Sequence, residues 1–327
     1  MKNPEDFCYG GAVQILEGVR HLDRPLASSV MTIGNFDGVH LGHQALIRKV
    51  VDRARKEGVP AVVMTFDPHP AKVLYPERKL HKIFGQTDLF RQMARHGVDY
   101  LVVEPFSREF SQLPPEQFLE NWIVGPFHPK LIVVGHDFSF GANREGSIEF
   151  LRGKSKERGF EVDVVTPVKS SELTVSSTQI RKALEAGDVA TAERMLGRRF
   201  YVTGLVEKGA GRGRTIGVPT ANVRTTAETI PGPGVYAAWA ELGSIRWKAA
   251  VNVGFNPTFV TGEDVPLNVE AHLIGYSGRD LYGEELTLTF VARLREERKF
   301  NGPAELVAQI KRDLGEAERI LGEDASP

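Results

Sequence analysis

Short apolar runs alternate with amphipathic stretches through the first half of the chain, and this alternation restricts the fold more than any other feature. Apolar runs bounded by turn residues are typical of buried parallel strands. Between the first two runs, Leu46, Val50 and Ala54 share one helical face, and Gly58 ends the helix. The pattern predicts a Rossmann-like, doubly wound α/β sheet that binds its ligands at the carboxyl ends of the strands. The runs cover residues 28–34, 59–66, 99–106, 130–138 and 160–168.

The pattern changes near Arg199, after two short predicted helices. Strand-like segments then follow one another with only turns between them, which is typical of an antiparallel sheet. We therefore predict a small β-barrel followed by a C-terminal helix. The 327 residues are enough for two domains with separate cores, placed at 1–187 and 188–327. The predicted strands cover 200–209, 234–242, 245–254, 268–276 and 285–294, and the helix covers 303–321.

The charge balance limits the partners. The 41 Lys and Arg residues are offset by 42 Asp and Glu residues, so no overall positive field attracts a nucleic acid or a membrane. The single cysteine, Cys8, cannot form an intramolecular disulfide. Residues 1–11 lack the pattern of a signal peptide, and no apolar run reaches the roughly 18 residues of a membrane span. We predict a cytoplasmic protein with no nucleic-acid or membrane partner; a homo-oligomer is compatible with this pattern.

The stretch GNFDGVHLGHQ, residues 34–44, lies where the first predicted strand becomes the first helix. Its glycines allow a sharp turn and bring backbone N–H groups close to a ligand at the positive end of the helix. His40 and His43 are three apart, so both can donate hydrogen bonds to phosphate oxygens. The stretch predicts an anion site. The alternatives are surface histidines beside a structural turn, or a metal pair, for which no third ligand is evident.

GNFDGVHLGHQ carries the HxGH signature of the nucleotidyltransferase superfamily, and the chain resembles the bacterial bifunctional riboflavin kinase/FAD synthetases. The resemblance extends from about Ile33 to about Asp313. It implies an FMN adenylyltransferase domain followed by a riboflavin kinase barrel. The other matching strings are TFDPHP (65–70), VGHDFSFG (134–141), SSTQIR (176–181), GRTIGVPTAN (213–222), PGPGVYA (231–237), VNVGFNPTF (251–259), VEAHL (269–273), DLYG (280–283) and LREERKF (294–300).

In the first domain, the resemblance implies that His40, His43 and Arg181 are catalytic. Arg181 lies one turn into a predicted helix, where a guanidinium can hold phosphates; SSTQIR by itself is also typical of a helix N-cap. Asp67 and His69 are implied flavin contacts, although FDPHP by itself is equally typical of a Pro-stabilised turn. Ser139 replaces a basic residue of some relatives, so a phosphate contact there stays open. The implied nucleotide-binding residues are Gly34, Phe36, Asp37, Gly38, Gly42, Asp137, Ser176, Ser177 and Thr178.

In the second domain, Thr220 and Asn222 offer hard oxygen donors suited to Mg²⁺ and nucleotide phosphates. The resemblance implies that these two residues hold Mg-ATP, with Gly217 in the same nucleotide site. Glu270 by itself is typical of the polar side of a strand, whereas the resemblance makes it the base for the ribityl hydroxyl of riboflavin. Arg298 is an implied flavin contact.

The resemblance implies two reactions, with ATP as co-substrate and Mg²⁺ as cofactor. Riboflavin and ATP give FMN and ADP in the barrel; FMN and a second ATP give FAD and pyrophosphate in the first domain. One alternative is an HxGH adenylyltransferase of single activity with a non-catalytic barrel. Another is a flavin-binding regulator or RNA-binding protein without turnover, whose RNA form requires strongly salt-dependent binding.

Overall fold

The structure of the chain is a computed structural model that describes residues 13–170, 173–209, 217–255, 267–298 and 300–324. The chain divides into two compact units, Met1–Ser176 and Ser177–Pro327. Cys8 and parts of the GRTIGVPTAN, VNVGFNPTF and LREERKF strings lie outside the described residues. Within the described ranges, no helix combines the length and the apolar character needed to cross a bilayer.

The first unit is built around a parallel sheet of six strands. The strands are Gln14–Leu16 (β1), Ser29–Ile33 (β2), Ala61–Asp67 (β3), Tyr100–Pro105 (β4), Pro129–Gly135 (β5) and Glu161–Val165 (β6). Their order is β1-β4-β3-β2-β5-β6, so all five predicted runs are strands of one sheet. From β2 the chain passes outward through β3 to β4 and then returns to β5 on the other side. This reversal between β2 and β5 creates the crevice in which such sheets bind ligands.

Helices cover both faces of this sheet, as the doubly wound prediction requires. They are Leu41–Glu57 (α1), Pro70–Leu74 (α2), Gln86–Arg95 (α3), Pro115–Phe118 (α4), Gly125–Phe127 (α5) and Ile148–Arg158 (α6), with a π-helical stretch at Leu119–Val124. On β2, Val30 packs in the core that includes Ile47 of α1, whereas Met31 packs in the opposite core with Phe118 and Phe127. Every residue of β2 is therefore buried, which explains why its sequence does not alternate between apolar and charged residues. Residues Lys169–Ser170 (β7) and Leu173–Thr174 (β8) form a separate two-stranded sheet.

The second unit contains a closed antiparallel barrel of six strands. Its elements are Ser177–Glu185 (α7), Val189–Leu196 (α8), Tyr201–Glu207 (β9), Ala221–Thr225 (β10), Gly234–Leu242 (β11), Ile245–Phe255 (β12), Leu267–Leu273 (β13), Glu285–Arg295 (β14) and Pro303–Glu323 (α9). The order around the barrel is β10-β13-β12-β11-β14-β9. The predicted barrel and C-terminal helix are confirmed. The short strand β10 was not predicted, because its five residues follow a glycine-rich, proline-containing stretch.

The compact units divide after Ser176, whereas the sequence places the domain boundary after residue 187. The difference is α7, which packs on α8, while α8 packs on β14. The amide of Gly232 also donates a hydrogen bond to the carbonyl of Leu184 at 2.8 Å. The two helices therefore pack as one pair within the second unit, and the boundary between the two activities stays a prediction.

The end of α9 is attached to the barrel through Asp324. Its Oδ2 accepts hydrogen bonds from Trp239 Nε1 and Arg199 Nη1, both at 2.7 Å. The guanidinium of Arg246 lies 4.2 Å from the centroid of the Trp239 ring. Burial raises the pKa of Asp324, but the hydrogen bonds from Arg199 and Trp239 outweigh this and hold the pKa below its usual value.

We expect Asp324→Asn to lower the free energy of unfolding by about 1–3 kcal/mol at neutral pH, because charge-assisted hydrogen bonds are lost. The wild-type carboxyl has a lowered pKa when folded, so its contribution is present above about pH 4 and is lost as the pH falls through the folded pKa. Urea unfolding at neutral and acidic pH measures both effects. Glu323→Gln is the matched control, since its pair with Arg319 is exposed. An equal loss in the control would contradict a specific role for Asp324.

Candidate active sites

The turn between β2 and α1 lies at the reversal of strand order and has an unusual backbone. Phe36, Gly38 and Val39 have φ angles of 46°, 79° and 39°. This region is unfavourable for Phe and especially for the β-branched Val, and both side chains are fully buried in the core. Gly34 continues the sheet, since its amide donates to the carbonyl of Met64 at 3.0 Å. Backbone strain of this kind is concentrated at functional sites.

The two predicted catalytic histidines of this turn lie side by side. The rings of His40 and His43 stack with their centroids 3.6 Å apart and 17° between their planes. His40 also caps α1, because its Nδ1 accepts a hydrogen bond from the His43 amide at 3.3 Å. A Cβ on Gly42 would lie 3.1 Å from the His40 ring, so the glycine leaves room for the imidazole.

Stacking has an electrostatic consequence for His43. Burial is the larger of two causes that hold the pKa of His43 well below its usual range, and the charge of the neighbouring His40 is the smaller. Its Nδ1 is buried, and among the described residues it has no hydrogen-bond partner. His43 is therefore neutral at neutral pH, and a bound phosphate would favour protonation of the pair by offsetting the repulsion between the rings.

A cleft opens beside the same turn, between the end of β3 and the segment that leads into α3. Its walls combine aromatic rings with a few ionisable groups. The cleft joins predicted nucleotide residues with both predicted flavin contacts of the first domain. The residues that line the cleft include Phe36, Asp37, Phe66, Asp67, His69, Lys82 and Phe84.

The polar residues of the cleft also hold its walls together. Asp37 is buried, and its Oδ1 accepts a hydrogen bond from the Ile83 amide at 2.9 Å. Asp67 forms an ion pair with Lys82, a residue that the sequence analysis missed. His69 caps α2 by accepting a hydrogen bond from the Ala71 amide at 3.1 Å. FDPHP therefore has a structural role, and its predicted contact with flavin stays a prediction.

The loop after β5 contains Asp137 and Ser139. Because β5 lies next to β2, Asp137 is at the same reversal of strand order, and its side chain is 83% exposed. The hydroxyl of Ser139 accepts a hydrogen bond from Arg144 Nε at 2.7 Å. The guanidinium of Arg144 therefore lies beside Ser139, so a positive charge is present at this position although Ser139 is not basic.

The SSTQIR residues lie at the start of α7, where the first compact unit ends at Ser176 and the second begins at Ser177. Ser176 precedes the helix, Ser177 and Thr178 begin it, and Arg181 follows one turn later. Ser176 directly precedes the first residue of α7, which is the position of an N-cap residue. The predicted phosphate contacts of these residues stay predictions.

The second candidate site lies on three neighbouring strands of the barrel. Asn222 of β10 is directly opposite Glu270 of β13, and Glu270 is directly opposite Asn252 of β12. Opposite residues of paired strands share a face of the sheet. The neighbours of Glu270, Val269 and Ala271, are buried, so Glu270 and both asparagines lie on the outer face. Asn252 belongs to the VNVGFNPTF string, but the sequence analysis did not select it as a candidate site residue.

The segment that carries Thr220 and Asn222 is held from both sides. His272 Nδ1 donates a hydrogen bond to the Pro219 carbonyl at 2.7 Å, and this bond requires the proton on Nδ1. A Cβ on Gly209 would lie 2.0 Å from Asn222 Nδ2, so the amide rests against the backbone at Gly209. His272 lies two residues after Glu270, a spacing that places both side chains on one face.

We expect Gly209→Ala to slow FMN formation from riboflavin by about tenfold or more, since small displacements of a site are costly. The fold is retained because the flexible Asn222 side chain can move away from the new methyl group. Initial rates with varied ATP measure the effect. Gly315→Ala is the control, because a Cβ there meets nothing within 4 Å. A folded Gly209→Ala protein with wild-type FMN formation would be inconsistent with this role of Asn222.

The remaining predicted residues of the barrel are placed as follows. Arg298 Nη2 donates to Gln309 Oε1 at 2.6 Å, and its guanidinium lies 4.8 Å from the centroid of Phe300. Gly217 is exposed and has a φ angle of 77°. Their contacts with flavin and nucleotide stay predictions. Within the described ranges, no group of three or more His, Cys, Asp or Glu residues could hold a metal ion.

Comparisons with known proteins extend over both units. The chain is 36% identical over 316 residues to the bifunctional riboflavin kinase/FMN adenylyltransferase of Pseudomonas fluorescens, covering 96% of this chain and 99% of the relative. The Listeria monocytogenes enzyme of the same name is 38% identical, with 88% and 90% covered. A crystal structure from Streptococcus pneumoniae, described as a macrolide-efflux protein, is 32% identical with a TM-score of 0.83, covering 93% of this chain and 98% of that one.

The fold and the two sites define a transferase class in which a nucleotidyltransferase-type sheet is combined with a phosphotransfer barrel. The family profile described as FAD synthetase matches residues 23–179, and that described as riboflavin kinase matches residues 196–321. The chain belongs to the family of bifunctional riboflavin kinase/FMN adenylyltransferases. It has both activities, so riboflavin, FMN and ATP are its substrates and FAD is its product.

Proposed function

We propose that the barrel transfers phosphate from ATP to riboflavin at the site formed by Thr220, Asn222 and Glu270. The observation that carries this proposal is the pairing of Asn222 with Glu270 on adjacent strands, which brings a phosphate-binding segment beside a carboxylate. A neutral alcohol needs a base or a positioned acceptor when it attacks a γ-phosphate. Glu270 takes the proton of the ribityl hydroxyl, and ADP leaves. Gly217 contacts the nucleotide, and Arg298 contacts the flavin.

Mg²⁺ is the proposed cofactor of this transfer. Magnesium sites with nucleotides typically use one or two protein oxygens, while phosphates and water supply the rest. The hydroxyl of Thr220 and the amide oxygen of Asn222 fit this donor set. The ion neutralises phosphate charge when it is bound. Gly209 and His272 hold the two donors in position.

The adenylyl transfer is proposed for the turn between β2 and α1. The FMN phosphate is already an anion, so its attack on the α-phosphorus of ATP requires no base. The requirement is to align two anions and to stabilise the pyrophosphate that leaves. His40, His43 and the N-terminus of α1 supply hydrogen-bond donors there, and Arg181 is proposed as a further phosphate ligand.

The remaining predicted contacts of the first domain are assigned to the same reaction. FMN is proposed to occupy the cleft beside the turn. Phe66 and Phe84 provide aromatic surface for a fused ring, while Asp67 and His69 provide polar contacts. The nucleotide contacts proposed for ATP are Gly34, Phe36, Asp37, Gly38, Gly42, Asp137, Ser176, Ser177 and Thr178.

We further infer that the protein acts in the cytoplasm on small molecules. The near-neutral balance of charge supports this inference, since neither nucleic acid nor an anionic membrane would be held by a general positive field. A homo-oligomer is compatible with these sites, and neither proposed mechanism requires one.

The test is a time course with riboflavin, excess ATP and Mg²⁺, in which riboflavin, FMN and FAD are separated by chromatography. FMN that accumulates and then gives way to FAD is expected. A parallel reaction that starts from FMN isolates the second step. FAD from FMN without FMN from riboflavin would instead favour a single-activity adenylyltransferase with a non-catalytic barrel. Flavin binding without consumption of ATP would favour a flavin-binding regulator without turnover.

A further inference from the structure

The proposed base of the kinase site has a specific hydrogen-bond partner. Asn268 lies two residues before Glu270 on β13, and its Nδ2 donates a hydrogen bond to Glu270 Oε1 at 2.7 Å. Residues two apart on a strand share a face, so both side chains lie on the outer face of the barrel. Neither the HxGH stretch nor the Thr-Ala-Asn segment contains this residue, and the sequence analysis did not select it.

The geometry of this bond restricts the carboxylate. An ionised carboxylate only accepts hydrogen bonds, so the Asn268 amide must present its NH₂ group. Among the described residues, Asn268 donates the hydrogen bond that Glu270 accepts, and this bond involves one carboxylate oxygen, Oε1. Holding Oε1 in this way fixes the rotation of the carboxylate and leaves Oε2 available to accept a proton.

We propose that Asn268 is a positioning residue for the phosphorylation of riboflavin, because its amide orients Glu270 toward the attacking hydroxyl. The inference rests on the proposed role of Glu270. In the step, the hydroxyl oxygen forms a bond to the γ-phosphorus while the bond to ADP breaks. The proton of the hydroxyl passes to Oε2, and Asn268 stays bonded to Oε1 throughout.

The charged groups near Glu270 explain why an uncharged hydrogen-bond donor, the amide of Asn268, is suitable beside its carboxylate. His272 on the same strand is bonded to the Pro219 carbonyl. Glu207 on β9 is paired with Arg224 at 2.6 Å. Glu297 lies against the backbone of Gly254, the residue directly opposite Asn268, since a Cβ there would be 2.3 Å from its Oε1. An amide adds a donor at this position without adding a further negative charge.

Two variants separate orientation from mere stability. We expect Asn268→Ala to lower kcat for FMN formation by about 10- to 100-fold, with KM for ATP nearly unchanged, because the base is free to rotate. Asn268→Asp places a second carboxylate at hydrogen-bond distance from Glu270, which raises the pKa of the pair. The acidic limb of the kcat–pH profile is then expected to move about one pH unit or more to higher pH.

Each variant carries its own folding control. Formation of FAD from FMN is measured on the same preparation, and thermal unfolding is compared with the wild type. Asn268→Ser retains a hydroxyl donor and is expected to recover part of the rate. In a double-mutant cycle, Asn268→Ala should cause no further loss when Glu270 is already Gln, since no base is left to orient.

The outcomes separate this inference from the proposed function. Wild-type kcat and an unshifted pH profile in both Asn268 variants, together with an inactive Glu270→Gln protein, would overturn the positioning role and leave the proposed function intact. Full FMN formation by Glu270→Gln would overturn both. An equal loss from Asn268→Ala in the presence and absence of Glu270 would show that Asn268 acts on something other than this carboxylate.

Discussion

Replacing His40 by Asn is expected to lower FAD formation from FMN by about 100- to 1,000-fold, because a donor to the reacting phosphates is lost. The choice of Asn follows from the structure. His40 Nδ1 also caps α1, so alanine would remove the cap together with the imidazole donor. Asn is among the best N-cap residues, so His40→Asn preserves the start of the helix. Formation of FMN from riboflavin should stay at the wild-type rate.

The comparison with His40→Ala separates chemistry from helix capping. Both variants should lose FAD formation, and only His40→Ala should lose stability, by about 1 kcal/mol. Steady-state rates of both reactions and urea unfolding give the three quantities needed. If His40→Asn made FAD normally, the histidine would be a structural cap. If it lost both activities while folded, the two sites would not be independent.

Replacing Glu270 by Gln is expected to have the opposite pattern, with FMN formation reduced by about 100- to 10,000-fold. Glutamine retains the size of the side chain but cannot accept the hydroxyl proton at neutral pH. FAD formation from supplied FMN should be unchanged, because that nucleophile is already ionised. The measurement is the rate of each reaction on one preparation, with FMN supplied separately for the second.

The matched control is Glu285→Gln, an exposed glutamate at the start of β14 in the same barrel. It changes the net charge by the same amount without altering the outer face at Glu270, and it should retain both activities. A similar fall in FMN formation in both variants would assign the effect to general charge. A rate near that of the wild type in Glu270→Gln would mean that no base is required.

The regular elements follow from the sequence wherever burial imposes a strong pattern. All five apolar runs of the first half are strands of one sheet, and the central strands are mostly apolar because they are covered on both faces. The α1 helix is equally clear, because its buried residues repeat along one face. The strand β10 was missed, and the sequence left open whether the segment that contains β1 joins the sheet, since each strand is short and partly exposed.

The sites were predictable in part. The HxGH stretch and the Thr-Ala-Asn segment are each contiguous in the chain, so the spacing of their residues can be recognised from the sequence. Lys82 was missed because its partner Asp67 lies 15 residues away, and a lysine by itself has no distinctive pattern. Asn252 and Asn268 resemble the polar side of any alternating strand. Their importance depends on which strand pairs with which.

By itself, the sequence determined the fold class, the order of the two domains and the position of the candidate phosphate-binding segments, because helix and strand periods, turn residues and motifs are all local. Only the tertiary structure decided the surroundings of each site. The stacking of His40 on His43, the pairing of Asp67 with Lys82 and the bond from Asn268 to Glu270 depend on rotamers and on packing. The spacing of these residues in the sequence permits the observed contacts, but it equally permits other contacts of the same side chains. Packing in the folded protein selects among them.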